Sequence, residues 1–105
     1  MQNMNITGHG IEITEALNSH VHAKMQPLDK FFDKITNLHV ILKIESNEQI
    51  AEADLHLAGG RGNLFAKAKT NDMYTSVNEL AKKMAAQLRK YHDKVKSHDV
   101  DEGLA

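Results

Sequence analysis

The sequence predicts an α/β (α+β) fold: a two-layer sandwich in the order β-α-β-β-β-α, with a four-stranded sheet and both helices on one of its faces. Three observations carry this expectation. Apolar residues alternate with polar ones in four short segments, and they recur every three or four residues in two longer ones. The second face of the predicted sheet is polar, so the apolar stripes of both helices must find cover on the first.

The first strand is the alternation of Met4 and Ile6 with Asn3, Asn5 and Thr7, ending at Gly8. Thr14 is a good N-cap for the helix that follows, whose stripe is Leu17, Val21, Met25, Leu28 and Phe32. Pro27 lacks a backbone donor and crowds the preceding turn, so this helix should kink or break near Met25 and Gln26. In LHVILKI the even positions Leu38, Val40, Leu42 and Ile44 share a face. In AEADLHLA it is Ala51, Ala53, Leu55 and Leu57, and in LFAKAKT it is Leu64, Ala66 and Ala68. After Thr70 the period becomes helical: Met73, Val77, Leu80, Met84, Leu88, Tyr91 and Val95 form one stripe, capped by Asn71 or Asp72.

Hairpin register follows from the turns. A turn centred between Asn47 and Glu48 sets Lys43 opposite Glu52 and His39 opposite His56. A turn centred in Gly59-Gly60-Arg61-Gly62 sets Lys67 opposite Asp54 and Lys69 opposite Glu52. Opposite charges then face each other, which favours this alignment.

A chain of 105 residues, 41% of them hydrophobic, suffices for one domain with one modest core. We expect residues 1–96 to form it and residues 97–105, SHDVDEGLA from Ser97, to be a short, acidic, disordered tail. No apolar run is long enough to span a membrane and no signal peptide is evident, so the expected location is cytoplasmic, with no membrane partner. The absence of cysteine excludes disulfides, thiol catalysis and cysteine-ligated zinc.

The formal net charge of -1 conceals a segregation. Residues 1–60 hold four Lys/Arg against eight Asp/Glu, residues 61–96 nine against three, and residues 97–105 none against three. Within residues 80–96 there are six Lys/Arg, namely Lys82, Lys83, Arg89, Lys90, Lys94 and Lys96, and one acid, Asp93. At about 100° per residue the cations occupy one side of the helix and the apolar stripe the other. Few glutamates interleave with them, unlike the salt-bridged pattern of an ordinary solvated helix. A row of phosphates is the natural partner, because each cation seated on a phosphate releases counterions. Phe65 is the only aromatic residue on the predicted open sheet face, which argues against base stacking there and for recognition of folded RNA by backbone and shape. The competing reading is a protein-interaction module whose basic helix docks on an acidic partner.

Enzymatic chemistry finds little support. GGRGN lacks the GK[ST] of a phosphate loop and reads as a hairpin turn. The seven histidines include no H-E-x-x-H, and a stray metal held by His39 and His56 is the minor alternative to a plain surface pair. No cofactor, resident metal or small-molecule substrate is expected.

MNITGHGIEITEAL near the start, DMYTSVNELAKKMAAQLRKYHDK near the end and the β-α-β-β-β-α order together resemble the ribosome hibernation promoting factor family, over nearly the whole chain to about Lys96. The most specific element is Asp72, Met73 and Tyr74 opening the second helix, followed by Lys83, Gln87, Lys90 and Lys94. The resemblance implies a double-stranded-RNA-binding-like fold and a non-enzymatic factor on the small ribosomal subunit, in the channel for messenger RNA and tRNA. It implies binding to 16S ribosomal RNA, silenced translation in stationary phase or starvation, and association with whole ribosomes and ribosome dimers. Lys83, Lys90 and Lys94 match the family's basic positions, Gln87 its polar one, and Lys24 of the first helix also matches. The expected RNA-binding set is therefore Lys24, Lys82, Lys83, Gln87, Arg89, Lys90, Lys94 and Lys96. Pro27 stands where a basic residue is common in the family. The length resembles the short form, which favours dimers. The ribosome-associated inhibitor, which stabilises single ribosomes without dimers, is the alternative within the family.

Overall fold

The computed structural model describes residues 3–30, 35–59 and 62–104, those from residue 92 onward as backbone alone. The elements are β1 (Asn3–His9), α1 (Glu15–Met25), a 3-10 turn (Gln26–Lys30), β2 (Ile35–Glu45), β3 (Glu48–Leu57), β4 (Asn63–Thr70) and α2 (Met73–Leu104). The four strands form one sheet in sequence order, with β1 parallel to β2 and the other neighbours antiparallel. The predicted order and two-layer architecture are those observed.

Local chemistry explains the boundaries. Thr14 caps α1, its Oγ1 accepting a hydrogen bond from Leu17 N at 3.1 Å. Pro27 ends the α-helix where expected, and the chain tightens into the 3-10 turn, which still buries Leu28. Phe32, the last residue expected in the stripe, lies outside the described residues. Asp72 caps α2, its Oδ2 accepting from both Thr75 N and Thr75 Oγ1 at 2.9 Å. Those bonds favour the ionised carboxylate, the backbone one most, and hold the Asp72 pKa below its ordinary value. Gly8 lies where the chain leaves β1: a Cβ there would stand 2.6 Å from the carbonyl oxygen of Ile11.

The core lies between the helices and one sheet face. Leu38, Val40, Leu42, Ala51, Ala53, Leu55, Ala66 and Ala68 meet Leu17, Val21 and Met25 of α1 and Met73, Val77, Leu80, Met84 and Leu88 of α2. Ser76 is the buried polar residue among them, 0% exposed, and its hydroxyl donates to the Gln49 carbonyl at 2.6 Å. Thr70 Oγ1 lies 2.7 Å from the same hydroxyl and ties the end of β4 to the first turn of α2.

Three expectations need correction. Both hairpins are displaced by two residues from the predicted register: Ile41, not Lys43, faces Glu52, and His39 faces Asp54 rather than His56. Across β3 and β4, Lys67 faces Glu52 and Lys69 faces Ile50. The β2–β3 connection is a two-residue turn at Ser46 and Asn47, both with positive φ (47° and 69°), so it closes one residue earlier than an Asn47–Glu48 centre. Ile44, expected in the core, is 39% exposed at the end of β2. The helical backbone of α2 runs on to Leu104. Once a helix is nucleated each further residue adds a hydrogen bond, and no proline interrupts this one.

The open sheet face keeps much of its charge matching despite the shift, because a two-residue displacement preserves the side on which each residue lies. Lys43 Nζ is 3.1 Å from Glu52 and 3.3 Å from Glu45, and Lys67 Nζ is 3.6 Å from the same Glu52. The hydrogen bond to Glu52, then that to Glu45, raises the Lys43 pKa. Ile50 lies on this side too, between Lys43 and Lys69 across the strands, and is buried.

Candidate nucleic-acid interface

α2 presents two faces. Leu80, Met84 and Leu88 are fully buried against the sheet, whereas Lys82, Lys83, Arg89 and Lys90 are exposed. Five of the predicted site residues are thereby brought onto one rigid element: Lys82, Lys83, Gln87, Arg89 and Lys90. Lys94 and Lys96 continue the same helix, with side chains outside the described residues. Lys24 is exposed on α1, one turn beyond His20 on the same helix face. His20 joins the helices: its Nε2 lies 2.8 Å from Asn78 Oδ1, and its ring meets Tyr74 edge-on at 5.0 Å.

The line Lys83, Gln87, Lys90 runs beside β4, the edge strand of the sheet. Lys83 Nζ donates to the Lys67 carbonyl at 2.8 Å, and Gln87 Nε2 donates to the Phe65 carbonyl at 2.6 Å. These bonds satisfy backbone acceptors that an edge strand leaves open. They also aim the side chains. An ammonium carries three donors, so Lys83 spends one on the strand and keeps two for an anion.

Lys82 approaches Glu79 at 3.7 Å, with the Lys82 side chain 76% exposed, a pairing too solvated to neutralise it. Beside Lys90, a shallow cleft of about 270 Å³ is lined by Leu64, Gln87 and Tyr91. Tyr91, assigned from the sequence to the apolar stripe, is half-buried and forms part of this surface. Its proximity to β4 depends on where the helix lies across the sheet, which periodicity does not specify.

Metal chemistry has no visible centre. His39 Nε2 lies 2.9 Å from Thr7 Oγ1, and among the described residues no three His, Asp or Glu converge as metal ligands. Nor, among the described residues, is any helix long and apolar enough to cross a membrane.

Comparison with known proteins places these features in a lineage. Residues 4–96 match the family model described as Sigma 54 modulation protein / S30EA ribosomal protein. The ribosome hibernation promoting factor of Klebsiella oxytoca is 45% identical over 95 residues, covering 90% of this chain and 98% of the relative. That of Escherichia coli K12 is 43% identical with the same coverage. A ribosomal subunit interface protein from Coxiella burnetii superimposes with a TM-score of 0.79 at 32% identity, covering 86% of this chain and 97% of the other. The N-terminal domain of Thermus thermophilus Protein Y, 23% identical, shares the fold with a TM-score of 0.77 over 87% of this chain and 99% of that one. The fold, the ordered basic helix and these similarities lead to one assignment: the chain belongs to the Sigma 54 modulation / S30EA ribosomal protein family, the non-enzymatic ribosome hibernation factors.

Proposed function

We propose that this protein is a cytoplasmic hibernation factor that binds the small ribosomal subunit in the channel for messenger RNA and tRNA, blocks translation in stationary phase or starvation, and promotes inactive ribosome dimers. Residues 1–96 are the ribosome-binding domain in this reading. The observation that carries it is the fixed cationic line beside β4, where Lys83 and Gln87 are tied to strand carbonyls and Lys82, Arg89 and Lys90 extend the charge. Cations held in a row by a packed helix meet the phosphates of folded 16S ribosomal RNA at little ordering cost. A compact wedge in the channel excludes tRNA by volume, so inhibition requires no chemistry. The RNA-facing set is Lys82, Lys83, Gln87, Arg89, Lys90, Lys94 and Lys96, with Lys24 as an outlying contact. Relatives named ribosome hibernation promoting factor, 98% of whose length this chain covers, support the hibernation reading.

Sucrose-gradient sedimentation of purified ribosomes with and without the protein tests the proposal. Co-migration with small subunits and a new dimer peak are expected. Protein on single ribosomes without dimers would move it to the inhibitor branch. Protein that stays at the top of the gradient at low salt would overturn the ribosomal reading, and nuclease-resistant capture of an acidic protein would replace it with the interaction module.

A further inference from the structure

We propose that the cleft between α2 and β4 is a nucleobase site, in which one unpaired base of an RNA strand stacks on Tyr91 while the adjoining phosphates lie on Lys83 and Lys90. The proposal rests on the ribosomal reading for its RNA and adds to it a contact that is not a phosphate contact.

The cleft has the composition such a site needs. Tyr91 and Leu64 supply an aromatic ring and an aliphatic wall, and Gln87 and Lys90 supply polar groups, around a volume of about 270 Å³. RNA bases that are read individually are splayed from the helix, stacked on aromatic rings and hydrogen-bonded along their edges. On the open sheet face Phe65 is 50% exposed but set among charged neighbours, and His39 and His56 are half-buried. The ring on α2 instead adjoins the cationic line.

Gln87 is oriented for the purpose. The Phe65 carbonyl can only accept, so the amide nitrogen of Gln87 must face it, at 2.6 Å. Its Oε1 therefore points away from the strand. It is an acceptor available to an exocyclic amine or ring N–H of a base. Charge selects the occupant: a nucleotide brings its phosphate to Lys83 and Lys90, whereas an apolar protein side chain has no use for the two cations.

The test separates stacking from charge. Tyr91→Phe keeps the ring, and Tyr91→Leu keeps apolar bulk against the core without it. Affinity for purified small subunits is measured for both across a range of salt, with thermal melts to confirm folding. Stacking predicts wild-type affinity for Tyr91→Phe, and for Tyr91→Leu a loss of about 5- to 150-fold with an unchanged salt slope. Independently of ribosomes, Tyr74→Phe leaves Tyr91 as the only tyrosine in a protein without tryptophan. Its emission should be quenched by a short single-stranded oligoribonucleotide and not by a duplex of equal length. Wild-type affinity for Tyr91→Leu, a changed slope, or absent quenching would overturn the base site. Quenching by the oligoribonucleotide without any binding to small subunits would keep the base site and remove the ribosomal reading.

Discussion

Replacing Lys83 and Lys90 together by glutamine removes two exposed charges from the ridge and leaves its buried face untouched. If about five phosphates are neutralised by the wild type, log affinity falls against log salt with a slope of roughly -3.5 to -4.5. Two fewer contacts bring the slope to roughly -2.1 to -2.7. At 0.1 M monovalent salt each contact is worth about 0.7 to 0.9 log units relative to 1 M, so the pair costs about 25- to 60-fold in affinity. The fold should not suffer. Lys83 loses its bond to the Lys67 carbonyl, but that carbonyl sits at an exposed edge where water replaces the ammonium, and such substitutions move stability by about 0.5 kcal/mol or less. The charge-reversed pair Lys83→Glu and Lys90→Glu adds repulsion and should abolish binding. The assay is equilibrium binding to purified small subunits between low and moderate salt, alongside circular dichroism melts. A double variant with native dichroism and the wild-type slope would refute the assignment of these lysines to phosphates.

Other consequences concern the scaffold. Ser76→Ala removes the buried hydroxyl that reaches the Gln49 carbonyl and Thr70, so it should cost about 1–3 kcal/mol, read as a lower urea midpoint at unchanged m-value. Gly8→Ala presses a methyl group onto the Ile11 carbonyl oxygen, 2.6 Å away, where backbone must move; we expect a loss of about 1–3 kcal/mol in thermal melts, and a wild-type melting temperature would contradict the close approach. The depressed pKa of Asp72 means that its cap stabilises the fold fully above the ordinary carboxylate value of about 3.9 and loses that contribution as pH falls through the folded value. Asp72→Ala should therefore lower the melting temperature at neutral pH, by an amount that shrinks on acidification. A pH-independent difference would show that the ionised form is not what matters.

The elements and their buried faces were legible in the sequence because periodicity records which side of a strand or helix is apolar. It does not record offsets along a strand. Both hairpins could therefore slip by two residues while every position kept its side of the sheet, and charges remained close enough for Lys43 and Lys67 to share Glu52. The first offset is set by positive φ at Ser46 and Asn47, and serine is a weak signal for such a turn. A bulge between Ile35 and Asn37 has the same character: it turns the odd-numbered Ile35 toward the core that its even-numbered neighbours fill.

The candidate site divides in the same way. That Lys82, Lys83, Arg89 and Lys90 share a solvent face follows from helical spacing alone, and the structure agrees. That Lys83 and Gln87 reach the carbonyls of Lys67 and Phe65, 16 and 22 residues away, depends on how far the helix sits toward the β4 edge. Ala66 and Ala68 on the strand and Met84 and Leu88 on the helix belong to the same core, and small residues on the strand leave room for the helix to lie close. The consequence bears on the proposed RNA contact. A lysine free in solvent surrenders rotamer entropy when a phosphate captures it, whereas one already bonded to the strand has surrendered part of it on folding. The charge of the proposed interface is thus a property of one helix, but its preorganisation belongs to the helix and the edge strand together.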